Sequence, residues 1–170
     1  MDRPTLILDA DDTLWENNIF YGEATDAFVE RMAREGFDPV EARDTFGRVE
    51  WGRVPLVGYA VQEFNQQDKV DRSGLAPYFE AVHVVPEKGP EVLRDLIARY
   101  GLEPRRTWMV GSSPRPDINP ALAVGVGAVY IPYAVPWAYE EAPIADPDRV
   151  ITLQCFPDLL DLFPEPEEAE

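Results

Sequence analysis

The sequence predicts an α/β layered domain with a largely parallel sheet, and three observations carry that prediction. Short apolar, β-leaning runs alternate with segments of helical periodicity from about residue 81 onward. A buried-strand pattern at Thr5–Leu8 ends directly on three acids, Asp9, Asp11 and Asp12. The 170 residues, 45% hydrophobic and 11% aromatic, suit one domain with a real core and room for a small insertion.

The elements follow in order. Thr5 to Leu8 reads as a buried first strand. From Gly22 to Phe37, Phe28/Met32 and Val29/Ala33 recur four apart, the spacing of one helix face, and Gly36 ends that helix. Asp38 followed by Pro39 reads as an N-cap with proline at the first helical position; Ala42, Phe46 and Val49 continue one face until Pro55 closes it. Val57, Ala60, Val61 and Phe64 fit a third helix, although Val57/Tyr59/Val61 also fits strand alternation; Ser73-Gly74 stops it. AVHVV (Ala81 to Val85) predicts a strand. PEVLRDLIARYG predicts a helix with Val92/Leu93, Leu96/Ile97 and Tyr100 as its stripe. TWMV (Thr107 to Val110), AVYIP and VITL (Val150 to Leu153) predict strands, and DINPALAVG and PDLLDLF short helices. The acidic tail, residues 164–170, is expected to be solvated and disordered. No internal repeat is visible.

Composition excludes some partners. The 32 acidic residues against 15 basic ones give a formal net charge of -17. Such a field repels nucleic-acid phosphates and anionic membranes, so neither is expected as a partner. A small anionic substrate needs a bound cation or a local Lys or Arg to reverse the field. Cys155 is the single cysteine, so no intramolecular disulfide forms, which is compatible with a reducing compartment. The N-terminus lacks the apolar segment of a signal peptide, and no stretch approaches a membrane span. A soluble cytoplasmic protein is the expectation.

Ligands of a parallel α/β sheet sit at the carboxyl ends of its strands. The loops that matter therefore follow Leu8, Val85, Val110 and Ile131. They carry Asp9 with Asp11, then Lys88, then GSSPRPD ending in Asp117. In an extended segment Asp9 and Asp11, two apart, point the same way. Paired carboxylates bind a hard cation through oxygen, and magnesium takes one or two of them plus water and phosphate oxygens. With the pair neutralised, one carboxylate serves as nucleophile and the other as general acid/base. Lys88 is one of only two lysines beside 13 arginines, and it could hold a phosphate oxygen.

DADDT, then PEKGPEVL, then VGSSPRPDI resembles the haloacid dehalogenase superfamily, mostly magnesium-dependent phosphatases. The resemblance covers the first strand and nearly everything from Ser73 to about Pro136. It implies a Rossmann-like core with helices on both faces (residues 1–15 and 73–163) and a truncated helical cap (residues 16–72). By resemblance, Asp9 forms an aspartyl-phosphate and Asp11 protonates the leaving alcohol, then activates water. Thr13 braces the loop, Lys88 stabilises the phosphoryl group, and Ser112 and Ser113 lie on the substrate side. Magnesium takes Asp9, the backbone carbonyl of Asp11 and the side chain of Asp117. An Asp at position 11 favours phosphatase over dehalogenase chemistry, and the implied substrate is a small phosphorylated metabolite.

Two departures from the family pattern stand out. The acidic loop usually runs GDxxxD or GDxxxxD, and here Ser112 follows Gly111. The family's second motif, a Ser or Thr ending a strand before AVHVV, has no counterpart between Trp15 and Ala81. One core strand is therefore expected to be missing. Either the AVHVV strand pairs directly with the first strand, or a slot is left that exposes two strand edges and promotes self-association. Two rival readings remain. One is a catalytically impaired relic or binding module that keeps the fold; the other is a phosphoacceptor signalling domain, which would place its accepting Asp on a later strand. His83, alternating with valines, reads as structural, and Trp137 and Tyr139 as packing residues that could wall the site.

Overall fold

Four parallel strands form one sheet in the computed structural model, which describes residues 4–57 and 60–164, the side chains of Tyr21 and residues 50–65 excepted. They are β1 (Thr5–Leu8), β2 (Thr107–Gly111), β3 (Gly127–Tyr130) and β4 (Val150–Thr152), and they lie side by side in chain order. Leu8 pairs with Val110, and Gly111 with Tyr130, so the carboxyl ends of the first three strands reach one rim. Thr107–Gly111 extends one residue beyond the predicted run, because the Gly111 carbonyl still accepts the Ile131 N–H at 3.0 Å.

Strand alternation divides the core between two faces. Met109 and Ala128 join Leu93, Ile118, Ala121, Leu122 and Val126 on one face, with Ile7 packed against them. Val110 and Val129 join Ile131 and Leu159 on the other, with Leu8 and Trp108 alongside. The first face is covered by α4 (Pro90–Tyr100) and α5 (Asn119–Val124), the second by the short α6 (Leu159–Leu162). Burying a Val or Leu side chain of this kind is worth about 1.5–3 kcal/mol. Of the α4 stripe, Leu93 is buried and Ile97 packs beside it, whereas Tyr100 stays exposed. Gly101 ends α4 in the left-handed region at φ 61°, where only glycine escapes a steric penalty.

This sheet and its helices form one compact unit, residues 1–22 and 89–170. Residues 23–88 form another. Helix α1 (Asn18–Arg34) begins four residues before the predicted start and runs into the second unit. It is followed by α2 (Pro39–Val57) and α3 (Ala60–Ser73). Asp38 caps α2 as expected, its Oδ1 accepting the Val40 and Glu41 N–H groups at 2.9 Å each. Helix α2 runs two residues past Pro55, the predicted terminator. Val29 is buried, and the Phe28 and Phe46 rings lie 5.3 Å apart between α1 and α2.

One predicted strand is absent. Ala81–Val85 carries strong β-branched character but forms no strand. β-propensity describes how well side chains fit a pleated, half-buried surface, so a strand forms only where a sheet accepts it. This segment belongs to the second unit and the sheet to the first. Among the described residues β1 has a strand neighbour on one side only, β2, and is therefore a sheet edge. AVHVV neither pairs with β1 nor faces it across a slot as a second strand edge, since it forms no strand; β1 alone presents an edge among the described residues. Val57 ends α2 and Val61 lies in α3, so the strand alternative for Val57/Tyr59/Val61 does not hold at its two described positions; Tyr59 and the tail at 165–170 lie outside the described residues.

Candidate active site

The site is built on three loops at one rim of the sheet. Beyond β1 the ladder continues for one step: the Asp9 N–H donates to the Val110 carbonyl at 2.9 Å. The extended backbone then stops. The Ala10 carbonyl accepts the N–H groups of Thr13, Leu14 and Trp15 at 3.3, 2.8 and 3.3 Å, which closes a tight turn. The strand ladder thus ends at Asp9, and Asp11 lies at the start of the turn that closes on Trp15.

That turn folds Thr13 back onto Asp9. The Thr13 hydroxyl donates to Asp9 Oδ2 at 2.9 Å, and Asp9 is buried. Asp11 is half-buried, and its Oδ1 accepts the Trp15 indole N–H at 2.6 Å. The backbones of Asp11 and Trp15 also form an isolated β-bridge.

Asp12 does a different job. It sits in the left-handed region at φ 58°, which Asp tolerates better than most residues. Its Oδ1 accepts the N–H groups of Asn17 and Asn18 at 2.8 and 2.9 Å, at the start of α1. Desolvation pushes its carboxyl above the usual carboxylate value, the two N–H donors oppose the shift, and the charges of Asp11 and Asp9 add to it. Of the three adjacent acids, one caps a helix.

The second loop follows β2. Ser112 and Ser113 are buried, and Asp117, in a single π-helical turn over Pro114–Ile118, has no exposed surface. The Ser113 N–H donates to Asp117 Oδ2 at 3.1 Å. The Asp117 carboxylate lies against the Gly111 backbone, where a side chain would overlap it. The Ser112 hydroxyl reaches the Asp11 carbonyl at 3.4 Å, a long contact that links the first two loops.

The third loop follows β3. The Ser113 hydroxyl donates to Glu140 Oε2 at 2.7 Å, and the Arg115 N–H donates to the Glu140 carbonyl at 3.0 Å. Arg115 also stacks over the Tyr139 ring at 5.2 Å, with Trp137 a further 5.2 Å from Tyr139. Trp137 and Tyr139 thus pack with the loop that carries Asp117. Lys88 is half-buried and ends the second unit, one residue before Gly89, the N-cap of α4. His83 is exposed in the irregular segment.

Sequence reasoning missed Trp15 and Glu140. Trp15 carried a usable signal, since a tight turn returns a residue four positions on to its starting point. Glu140 had none, because its partner Ser113 is 27 positions away.

The donor set suits a hard cation only in its leanest form. Among the described residues, no group of three or more Asp, Glu, His or Cys side chains could hold a metal. What the chain offers is two buried carboxylates, Asp9 directly after β1 and Asp117 in the turn that follows β2, and the Asp11 carbonyl, all oxygen. Magnesium asks for no more, since it keeps several waters and shares phosphate oxygens. In donor type, oxygen only, the set is compatible with that ion.

This architecture is the haloacid dehalogenase-like α/β fold. A haloacid dehalogenase-like family hydrolase from Xanthomonas campestris superimposes with a TM-score of 0.69 at 20% identity, covering 94% of this chain and 94% of that one. A HAD phosphatase from Thermococcus onnurineus superimposes at 0.62 with 20% identity, covering 95% of this chain and 98% of that one. No family model matches the sequence. No curated protein matches it at a significant level. No helix among the described residues is long and apolar enough to cross a membrane.

Proposed function

We propose that this chain is a magnesium-dependent phosphomonoester hydrolase that works through a phosphorylated Asp9. The observation that carries this reading is the buried Asp9 carboxylate, bonded by the Thr13 hydroxyl at 2.9 Å, with Asp11 beside it. A buried carboxylate whose Oδ2 accepts a hydroxyl bond is oriented, and an oriented carboxylate is what in-line attack on phosphorus needs.

Asp9 attacks phosphorus while the bond from phosphorus to the alcohol oxygen breaks, and the Asp11 carboxyl gives its proton to that oxygen. In the second half, Asp11 as carboxylate takes a proton from water. The water oxygen attacks phosphorus, the bond to Asp9 breaks, and inorganic phosphate leaves with Asp9 restored. Asp9, the Asp11 carbonyl and Asp117 would hold magnesium, which supplies charge neutralisation between the carboxylates and the phosphate dianion. Lys88 would pair with phosphoryl oxygens, and Ser112 and Ser113 would keep the acidic loop in place at the substrate side. The substrate class is a small phosphorylated metabolite.

A second reading has its own observation. The edge position of β1 leaves no strand to carry the family's phosphate-binding Ser or Thr on its open side among the described residues. Loss of one such donor costs about 10²–10³ in rate, so a slow or silent relic is the alternative. The same open edge is proposed to let two copies pair, read as concentration-dependent sedimentation.

One experiment separates the readings. Thermal unfolding is followed with and without magnesium and beryllium fluoride, and turnover of p-nitrophenyl phosphate is measured beside it. Ligand at 100 times its dissociation constant adds about 2.7 kcal/mol, which is several degrees for a chain of this size. The phosphatase reading expects that shift and metal-dependent turnover, both lost in Asp9→Asn. Turnover that survives Asp9→Asn overturns the nucleophile assignment, and a cooperative melt with neither shift nor turnover favours the relic.

A further inference from the structure

We infer that Trp15 is a positioning residue for the general acid/base, an inference that rests on the phosphatase reading. Asp11 stands in a turn, where a half-buried carboxylate has several rotamers open to it. Two links to one residue restrict it. The Trp15 indole N–H donates to Asp11 Oδ1 at 2.6 Å, and the Asp12 N–H donates to the Trp15 carbonyl at 2.6 Å. The side chain and the backbone next to it are thus tied to the same partner.

The chemistry of the donor matters as much as its place. Indole N–H is a donor only, so it accepts no proton from Asp11 and competes for none. The bond holds Oδ1 against the indole and so sets the orientation of the carboxyl group. Trp15 thereby selects which oxygen delivers the proton to the leaving alcohol and, in the second half, which oxygen takes it from water. Trp15 itself touches no reacting atom. Thr13 acts on Asp9 and Trp15 on Asp11, so two residues of one turn each orient one carboxylate.

The test uses leaving-group dependence, which a merely structural role does not move. β-Glycerophosphate releases an alkoxide that must be protonated, whereas p-nitrophenyl phosphate releases a phenolate that leaves unaided. Trp15→Phe keeps the ring and removes the donor. It is expected to lower kcat/KM on β-glycerophosphate about 10- to 100-fold, part of the range of a general acid, and to leave kcat/KM on p-nitrophenyl phosphate nearly unchanged. Trp15→His, which keeps a ring N–H, is expected to restore part of the loss. The beryllium fluoride melting shift, which depends on Asp9, is expected to persist in both variants.

A second readout needs no turnover. The chain has four tryptophans, and the indole proton resonance that disappears in Trp15→Phe identifies Trp15. It is expected downfield of the others and to move upfield in Asp11→Ala. An equal fall on both substrates, no fall on either, or an indole proton indifferent to Asp11→Ala overturns the proposal while the wild-type chain still turns over. Wild-type protein that neither turns over nor shifts its melt overturns the phosphatase reading, and this inference with it.

Discussion

The Asp117 carboxylate occupies the space that a side chain at Gly111 would need. The two residues are six positions apart, and the π-helical turn over Pro114–Ile118 brings one back onto the other. Asp117 is wholly buried and bonded to the Ser113 N–H at 3.1 Å, so yielding to a new side chain strains that bond. Gly111→Ala is expected to cost about 1–3 kcal/mol of stability, the usual range for overpacking a filled site. It is also expected to abolish the melting shift given by magnesium and beryllium fluoride. Wild-type stability and an intact shift in that variant would show that the carboxylate is not needed where it lies.

Asp12 is separable from its two acidic neighbours. Its Oδ1 takes two N–H groups at the start of α1, and its backbone is left-handed. Asp12→Ala removes the acceptor and puts a poorly suited residue at positive φ, with an expected loss of about 1–2 kcal/mol. Asp12→Asn keeps an acceptor oxygen and the tolerance for this conformation, so it should melt close to wild type. Both variants should retain the leaving-group preference of the parent, since neither touches Asp11. Urea unfolding of the pair checks the difference.

Cys155 is exposed but not expected to be reactive. Its thiol donates to Asp158 Oδ1 at 3.2 Å, and that bond, with smaller contributions from desolvation and the carboxylate charge, pushes the thiol above its ordinary value. The thiolate is the reactive form, so alkylation by iodoacetamide should reach half its maximal rate at a pH above that of a free cysteine. Asp158→Asn should move that midpoint down. The thiol, with the N–H groups of Cys155 and Gln154, holds the Asp158 carboxyl below its usual value. Its stabilising effect is therefore present above the ordinary carboxylate value and is lost as pH falls through the lowered one.

Much of this protein was determined by its sequence alone. Thr5–Leu8, the Asp38-Pro39 helix start, the α4 stripe about Leu93 and the strands about Met109 and Val129 follow from local rules, because periodicity, capping and proline or glycine placement act over a few residues. The loop positions of the acids were legible for the same reason, as Asp9 directly follows one apolar run and Asp117 closes the Gly-Ser-Ser-Pro-Arg-Pro segment after another. What the tertiary structure decided involves partners distant in sequence or the availability of a neighbour. Ala81–Val85 has the composition of a strand, yet a strand needs a sheet that accepts it, and no local pattern records that. Nor does a pattern record that Ser113 meets Glu140 and Ser112 meets Asp11, 27 and 101 positions apart. Even within five residues, the contact of Asp11 with Trp15 follows from the turn closed on the Ala10 carbonyl and from no periodicity. Side-chain chemistry is local, but the geometry that gives it a task depends on contacts the chain makes only once folded.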